Sequence, residues 1–303
     1  MRREPISFPS AGARLDGDLS LPDGLAGGER RPALVVCSGY QGLKDMHPAR
    51  FARTLVPAGY VCLGFDYRGF GRSDGPPGRL HPEEQVEDVR AAIDFLETVA
   101  EVDPARIALL GWALGGGIVI AAAADDPRVR SVVAVNAIGD GERSTRSMHD
   151  EQSWDRLGER IAADRAARGA PGASELVPPF EIVRLDRVTR GYVVDELARY
   201  PGFGTQVTLE SAELLLSFRP EDVVARLAPR PLLLVHGAEN DLHSPDESRE
   251  LYRRAGEPKE LVLLAGCGHT EWMYDDHPEF RRLVSLVSRF LEDALPPLAQ
   301  SAA

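Results

Sequence analysis

Short apolar runs recur along the chain, each bounded by glycine, proline or charged residues. The clearest runs are apolar at nearly every position and rich in Val, Leu and Ile; they cover residues 33–39, 60–66, 107–111, 131–136, 231–237 and 260–266. Strands that are buried on both faces of a parallel sheet have this composition. Residues 6–21, which contain a glycine turn, predict two further short strands at the start of the chain.

Amphipathic segments separate these runs. Each segment places apolar side chains on one face of a helix, and the segments cover residues 48–58, 83–99, 246–256 and 278–294. Strands that alternate with helices indicate βαβ units. The sequence therefore predicts an α/β fold with a doubly wound, mostly parallel sheet.

One long region interrupts this alternation. Residues 139–220 contain no buried-strand run but include a stretch rich in Arg, Glu and Ala and a loop rich in Gly and Pro. Such an insertion is either a solvated helical excursion or a cap over the carboxyl edge of the sheet, where ligands bind in open α/β folds. We favour the cap. The predicted organisation is then a core of residues 1–138 and 221–295, a helical cap or lid of residues 139–220, and a flexible tail of residues 296–303.

Composition and charge narrow the class of function. The 303 residues carry a formal net charge of -12, which disfavours binding to a phosphate backbone. The first residues lack the apolar stretch of a signal peptide, and no apolar segment approaches the roughly 20 residues that span a bilayer. The three cysteines fit reduced thiols better than a disulfide framework. We expect a cytoplasmic protein with no membrane or nucleic-acid partner.

The stretch IALLGWALGGG has the pattern of a nucleophile elbow. In that motif, Gly-x-Ser-x-Gly, glycines flank the nucleophile because the strand-to-helix turn is too tight for side chains. Here Gly111 and Gly115 occupy the glycine positions, and Ala113 occupies the nucleophile position. The alternative interpretation is a glycine-rich turn that only packs closely. A phosphate-binding loop is disfavoured because no Gly-Lys-Ser/Thr follows.

Other components of an acyl-transfer site follow in the expected order of nucleophile, acid and histidine. Asp241, with Glu239 as the alternative, follows the run 231–237, and His269 follows the last run. A histidine base needs a carboxylate to fix its tautomer. An oxyanion hole needs two N–H donors, for which we predict Leu114 and Tyr40.

Together these segments resemble the α/β-hydrolases. The matching segments are SGYQGLKDMH, FDYRGFGRSDG, GWALGGG, HGAENDLHSP and GCGH. The closer resemblance is to bacterial esterases and acyl hydrolases related to dienelactone hydrolase and acetyl-xylan esterase. It implies hydrolysis of an ester or thioester, with serine expected where this chain has Ala113. The resemblance does not extend to residues 139–220.

The methyl group of Ala113 cannot attack a carbonyl carbon, so no covalent acyl-enzyme forms through it. One interpretation is a serine hydrolase (esterase, thioesterase or lactonase) whose nucleophile has been replaced by engineering, and we favour this interpretation at the level of sequence. The other is a natural protein without a nucleophile. Such a protein would bind a small molecule, or would use His269 in non-covalent acid–base chemistry such as elimination or cyclisation.

Aromatic residues predict the character of the ligand. Trp112 and Trp272 flank the catalytic positions, and Trp154 and Tyr192 lie in the insertion. A capped aromatic pocket favours a medium-sized, partly apolar ester, thioester or lactone, of a kind found in secondary metabolism. We predict no cofactor and no metal, because the remaining histidines fit packed roles better than ligand roles. A homodimer through the cap or the last helix is possible.

Overall fold

A computed structural model describes residues 1–169 and 173–297 of the chain. Residues 298–303 of the predicted tail lie outside the described residues. The strands are β1 (Arg2–Ser10), β2 (Ala13–Leu21), β3 (Arg31–Cys37), β4 (Val61–Phe65), β5 (Val102–Trp112), β6 (Val129–Val135), β7 (Leu176–Val177), β8 (Val207–Thr208), β9 (Leu232–Gly237) and β10 (Lys259–Leu264).

The helices are α1 (His47–Leu55), α2 (Pro82–Thr98), α3 (Leu114–Ala124), α4 (Gly141–Ser147), α5 (Glu151–Gly169), α6 (Pro179–Ile182), α7 (Arg187–Asp195), α8 (Glu210–Ser217), α9 (Asp246–Arg254) and α10 (Pro278–Ala294). Short 3₁₀ turns cover Leu197–Arg199, Pro220–Asp222 and Val224–Leu227. Every helix in the described ranges is too short or too polar to cross a lipid bilayer.

Eight strands form the central sheet of the described chain, in the order β1-β2-β4-β3-β5-β6-β9-β10. The first two strands form an antiparallel hairpin, β2 pairs antiparallel with β4, and every later pair is parallel. The central strands are buried on both faces, as their continuous apolar runs predict. Helices α2 and α3 pack together on the sheet, and α1 packs with α10. The predicted doubly wound, mostly parallel α/β fold is confirmed.

The register of the sheet brings the carboxyl ends of its central strands to one edge. Cys37 of β3 pairs with Gly111 of β5, which pairs with Ala134 of β6, which in turn pairs with Leu234 of β9. The loops after β3, β5 and β6 therefore start within one residue of the same level, and β9 runs two residues further before its loop begins. In open α/β sheets this edge is where ligands bind.

The segment between β6 and β9 contains helices α4 to α8 and the antiparallel pair β7–β8. Hydrogen bonds join it to loops at the carboxyl edge. Gln41 Nε2 donates to the Thr205 carbonyl oxygen at 2.7 Å, and Gln41 Oε1 accepts the Gly204 N–H at 3.0 Å. The Tyr192 hydroxyl donates to the Met273 carbonyl oxygen at 3.0 Å. This helical insertion therefore lies against the edge where the central strands end.

Candidate active site

Ala113 alone forms the turn between β5 and α3. Its backbone has φ 53° and ψ −118°, a conformation that is strained for a residue with a side chain. The Ala113 N–H donates to the Val135 carbonyl oxygen at 2.8 Å, and the Ala113 carbonyl oxygen accepts the Gly116 N–H at 2.9 Å. The strand, the sharp turn and the helix together have the geometry of a nucleophile elbow. The elbow presents a methyl group in place of a nucleophile.

Glycine is required where neighbouring backbone crowds this turn. A Cβ atom on Gly115 would lie 2.2 Å from the Ser38 carbonyl oxygen, which is closer than nonbonded atoms approach. A Cβ atom on Gly39 would lie 3.2 Å from Cβ of Ala113. The loop after β3 therefore packs directly on the elbow.

This close packing brings two backbone donors beside Ala113. Leu114 is the first residue of α3, and Tyr40 follows Gly39 in the loop after β3. Within the described residues, neither N–H has a hydrogen-bond acceptor. The Tyr40 side chain faces the insertion, where its hydroxyl donates to the Pro179 carbonyl oxygen at 3.2 Å. Burial raises the pKa of this hydroxyl, so it stays protonated.

His269 lies in the loop after β10 and is buried. The Asn136 side-chain amide donates to the His269 carbonyl oxygen at 2.9 Å and holds the loop against the end of β6. The imidazole ring lies 5.8 Å from the Trp112 ring and 4.9 Å from the His243 ring, measured between centroids. Burial, together with nearby His243, lowers the pKa of His269 well below its usual value. The ring is therefore neutral at physiological pH.

The residue that faces Nδ1 of His269 is Asn240. The Asn240 side-chain nitrogen Nδ2 lies 3.2 Å from this ring nitrogen. The orientation of the amide is determined by its oxygen, which accepts the N–H groups of Leu242 at 3.1 Å and His243 at 3.0 Å. An oxygen must occupy that position, because both partners are donors. The amide N–H₂ group therefore points at the histidines.

His236 also lies 3.2 Å from Asn240 Nδ2, but it is not an acceptor there. Its Nε2 lies 2.9 Å from the His243 carbonyl oxygen, which only accepts, so Nε2 carries the proton. Its Nδ1 lies 2.7 Å from the Ser248 hydroxyl and accepts from it. The remaining acceptor for the Asn240 amide is Nδ1 of His269.

The tautomer of His269 is inferred from this hydrogen bond and from the bonds around it. A neutral imidazole that accepts at Nδ1 carries its proton on Nε2. In a serine hydrolase a carboxylate holds the proton on Nδ1 and leaves Nε2 free as the base. Here the arrangement is reversed, and Nε2 of His269 is a donor.

Asp241, the predicted carboxylate partner, is exposed to solvent and forms no hydrogen bond with His269 in the described chain. The alternative, Glu239, is exposed as well. The reason is the turn after β9, in which the bonds to Leu242 and His243 hold the Asn240 side chain inward. The geometry therefore does not support Asp241 as the orienting acid.

A small cavity of about 60 Å³ opens above Ala113. The core contributes elbow, loop and histidine residues, and the insertion contributes mainly apolar ones. The lining residues are Gly39, Tyr40, Met46, His47, Trp112, Ala113, Phe180, Val183, Leu185, Thr189, Val193, Leu197, Phe203, Leu242, His243, His269 and Thr270. The cavity is partly open and mainly apolar, and polar groups are few.

Only some of the predicted ligand-binding residues line this cavity. Trp112 does, but Trp272 packs behind it with ring centroids 5.6 Å apart. Trp154 contacts the His149 ring at 5.9 Å inside the insertion. The Tyr192 hydroxyl already donates its hydrogen bond to the Met273 carbonyl oxygen. These three side chains support the walls rather than form them.

No role for Asn240 is predicted from the sequence, and His47, with the other remaining histidines, is predicted to have a packed role. Asn240 adjoins Asp241, and nothing in the order of residues shows which of the two turns inward. His47 begins α1, stacks on Trp112 and lines the cavity. Within the described residues, no group of three or more His, Cys, Asp or Glu side chains is arranged to hold a metal ion.

Comparisons with known proteins agree with this architecture. The sequence profile of the family described as "Serine aminopeptidase, S33" matches residues 28–275. A polyketide transferase of Stachybotrys chlorohalonatus is 31% identical over 284 residues, which cover 89% of this chain and 90% of the relative. A thiohydrolase of Arthrinium phaeospermum is 31% identical over 273 residues, covering 86% and 88%.

Solved structures share the fold over nearly the whole chain. A hypothetical protein of Pseudomonas aeruginosa superposes with a TM-score of 0.82 and 26% identity, covering 96% of this chain and 94% of that one. An α/β-hydrolase of Penicillium sp. sh18 also gives a TM-score of 0.82, with 24% identity and coverage of 97% and 99%. The helical insertion is therefore included in the superposed length.

Proposed function

The chain belongs to the serine aminopeptidase S33 family of α/β-hydrolases, and on that basis we propose that its cavity binds a medium-sized, partly apolar acyl compound without forming a covalent acyl-enzyme. The acyl compound is an ester, a thioester or a lactone. The observation that carries the proposal is the methyl group of Ala113 at an otherwise intact elbow. Covalent catalysis at this position requires an oxygen or sulfur nucleophile.

The donors around Ala113 support recognition of an acyl oxygen. The N–H groups of Tyr40 and Leu114 have no acceptor within the described residues, and Nε2 of His269 supplies a third donor. Preorganised donors in a mainly apolar site bind a carbonyl oxygen more strongly than donors in open water do. A carbonyl group is therefore the part of the ligand that we assign to the elbow.

The names of relatives support the acyl class. Two of them are a polyketide transferase and a thiohydrolase, both names that refer to acyl groups or their thioesters. The cavity walls contributed by the insertion are apolar, which suits an acyl chain. We therefore propose an acyl chain of the kind made in secondary metabolism.

The contact between Asn240 and His269 helps to decide whether Ala113 is natural or engineered. If serine had been replaced in a working hydrolase, the carboxylate that orients His269 would remain. In this chain an amide donates to Nδ1 of His269 instead, so two positions depart from the triad. This observation favours a natural protein without a nucleophile over an engineered one.

The same observation favours a second candidate function, non-covalent catalysis of elimination or cyclisation. The neutral His269 ring would donate a hydrogen bond from Nε2–H to a substrate oxygen and so stabilise the negative charge that develops there. A neutral imidazole loses its remaining proton only by forming an imidazolate, so His269 would act as a hydrogen-bond donor and not as a general acid. Water activation is the less favoured role, because the pKa of His269 is lowered and its Nε2 already carries a proton.

The test is stepwise restoration of the triad. We would compare the parent chain, Ala113→Ser and Ala113→Ser/Asn240→Asp by fluorophosphonate labelling and by turnover of p-nitrophenyl esters and N-acetylcysteamine thioesters. We expect the parent chain to bind thioesters without labelling or appreciable hydrolysis. We expect Ala113→Ser to gain little, and the double variant to exceed it by at least about a hundredfold, because the carboxylate corrects the tautomer.

Asp241→Asn in the double variant is the matched control and should leave turnover unchanged. The opposite pattern contradicts the proposal. If Ala113→Ser alone is an efficient hydrolase and Asp241→Asn abolishes its activity, the chain is a serine hydrolase that lost only its nucleophile. Failure of every acyl probe to bind the parent chain would refute acyl binding itself.

A further inference from the structure

His47 is held in a fixed position at the wall of the cavity. It is the first residue of α1 and is only 5% exposed. Its imidazole ring stacks on the Trp112 ring with centroids 4.8 Å apart and an interplanar angle of 10°. Trp112 also contacts His269 and Trp272. The stack leaves the His47 ring little freedom to turn toward a different partner.

Neither ring nitrogen of His47 has a hydrogen-bond partner within the described residues, although both are buried. Thr270 Oγ1, at another point of the cavity lining, is also buried and unpartnered in the described chain. Buried polar groups are nearly always hydrogen-bonded, so each exception needs an explanation. A ligand that enters the cavity they both line, and shifts the wall in front of these atoms, would satisfy them.

The chemistry of these groups indicates what they bind. Burial, with a contribution from Arg50, lowers the pKa of His47 to about 3, so the ring is neutral and offers one donor and one acceptor. The Thr270 hydroxyl also donates and accepts. The described cavity lining contains no Lys, Arg, Asp or Glu. A carboxylate would therefore lose its water without gaining a cation, whereas a hydroxyl or ketone would not.

Packing alone does not account for a histidine here. A phenylalanine would keep the stack on Trp112 and would leave no buried nitrogen unsatisfied. Histidine at this position is destabilising when the cavity is empty, because two buried nitrogens lack hydrogen bonds. A ligand that supplies those hydrogen bonds would remove the destabilisation.

We propose that His47 and Thr270 form a polar subsite that binds a second, uncharged hydrogen-bonding group of the acyl ligand. The ligand is then an acyl compound that bears a hydroxyl or ketone group on its chain. This inference rests on the proposed function, because it assumes that the acyl group lies at the elbow. It adds the requirement that the acyl chain carry a hydroxyl or ketone group, which acyl binding alone does not require.

The experiment uses the full chain and matched probes. The probes are the N-acetylcysteamine thioesters of octanoate and of 3-, 5- and 7-hydroxyoctanoate, and binding is measured by calorimetry. We expect at least one hydroxylated probe to bind about tenfold more tightly than octanoyl thioester, as two additional neutral hydrogen bonds would give. In His47→Phe that ratio should fall to about one.

Thr270→Val is the second variant, since it keeps the shape of the side chain if His47→Phe fails to fold; it should reduce the ratio by a few fold. Equal binding of all four probes to the parent chain overturns the subsite while leaving acyl binding intact. An unchanged ratio in both variants overturns it as well. If no probe binds the parent chain, the proposed function fails and the subsite fails with it.

Discussion

Asn240 donates a side-chain hydrogen bond to Nδ1 of His269 over 3.2 Å. This contact stands where a triad would have a carboxylate accepting from the same nitrogen. Because the Asn240 oxygen is occupied by two backbone donors, its amide cannot rotate without losing both bonds. The alanine at the elbow and the amide at the histidine are therefore consistent with each other, because a site without a nucleophile does not need a carboxylate-oriented base.

The tautomer of His269 is the first prediction. In the parent chain at pH 7, ¹⁵N NMR of labelled histidine should show a neutral ring with the proton on Nε2. Asn240→Asp should move the proton to Nδ1 and raise the pKa of His269, because a carboxylate favours the protonated imidazole.

Asp241→Asn is the control for this measurement, and its His269 signals should match those of the parent. A parent spectrum with the proton already on Nδ1 would contradict the hydrogen-bond assignment.

The fold was predictable because its signals are local. Runs such as residues 107–111 are short and apolar at every position, which is typical of a strand covered on both faces, and the glycines around Ala113 mark the tight turn that follows. Chain order then identified Ala113 and His269 as neighbours across the carboxyl edge. Both residues line the same cavity in the structure.

The inward-facing side chains of the site could not be predicted, because the order of residues does not encode which way a side chain turns. Asn240 and Asp241 are adjacent, and which one turns inward is decided by hydrogen bonds to backbone two and three residues later. His47 faces the cavity because α1 packs its first turn against Trp112, a contact between distant segments. The aromatic residues of the insertion were also ambiguous, because core and cavity roles have the same composition.

As the pH is lowered, we expect the protein to unfold at a higher pH than protonation of its carboxylates alone would cause. Burial lowers the pKa of His47 and His243 to about 3 and that of His236 to about 4, from 6.5 for the free side chain. The unfolded chain therefore binds more protons between these values, so stability is fully present above pH 6.5 and is lost as the pH falls. We expect a loss on the order of 5 kcal/mol between pH 7 and 4.5 in urea titrations.

His47→Phe removes one of these groups and isolates its contribution. The variant should lose roughly 2 kcal/mol less than the parent over the same pH range. Identical pH profiles for the two chains would show that His47 is not buried as a neutral ring.

Backbone strain at the elbow is the third prediction. Ala113 has φ 53°, where glycine is favoured, and its side chain is not a nucleophile for which the strain would be needed. Ala113→Gly should therefore raise the free energy of unfolding by about 1 kcal/mol, after allowing for the greater freedom of glycine in the unfolded chain.

Ala134→Gly, in the regularly paired part of β6, is the matched control and should instead lower stability by roughly 1 kcal/mol. Chemical denaturation of the three chains decides the question. If both substitutions destabilise to a similar extent, the turn is not strained.

Gln41 contributes two of the hydrogen bonds that join the core to the helical insertion. Its buried amide bonds the Thr205 carbonyl oxygen and the Gly204 N–H, and it is the neighbour of Tyr40 at the elbow. The insertion forms much of the cavity wall, so its movement would widen the route by which a ligand reaches Ala113. Gln41→Ala removes both bonds and should increase amide hydrogen exchange in residues 179–205 by about tenfold, with little change in the strands of the core.

Tyr40→Phe, which removes a single bond to Pro179, should produce a smaller increase and is the control for this measurement. Exchange that rises equally in β5 and β6 would indicate global destabilisation, and unchanged exchange would show that Gln41 does not hold the insertion closed.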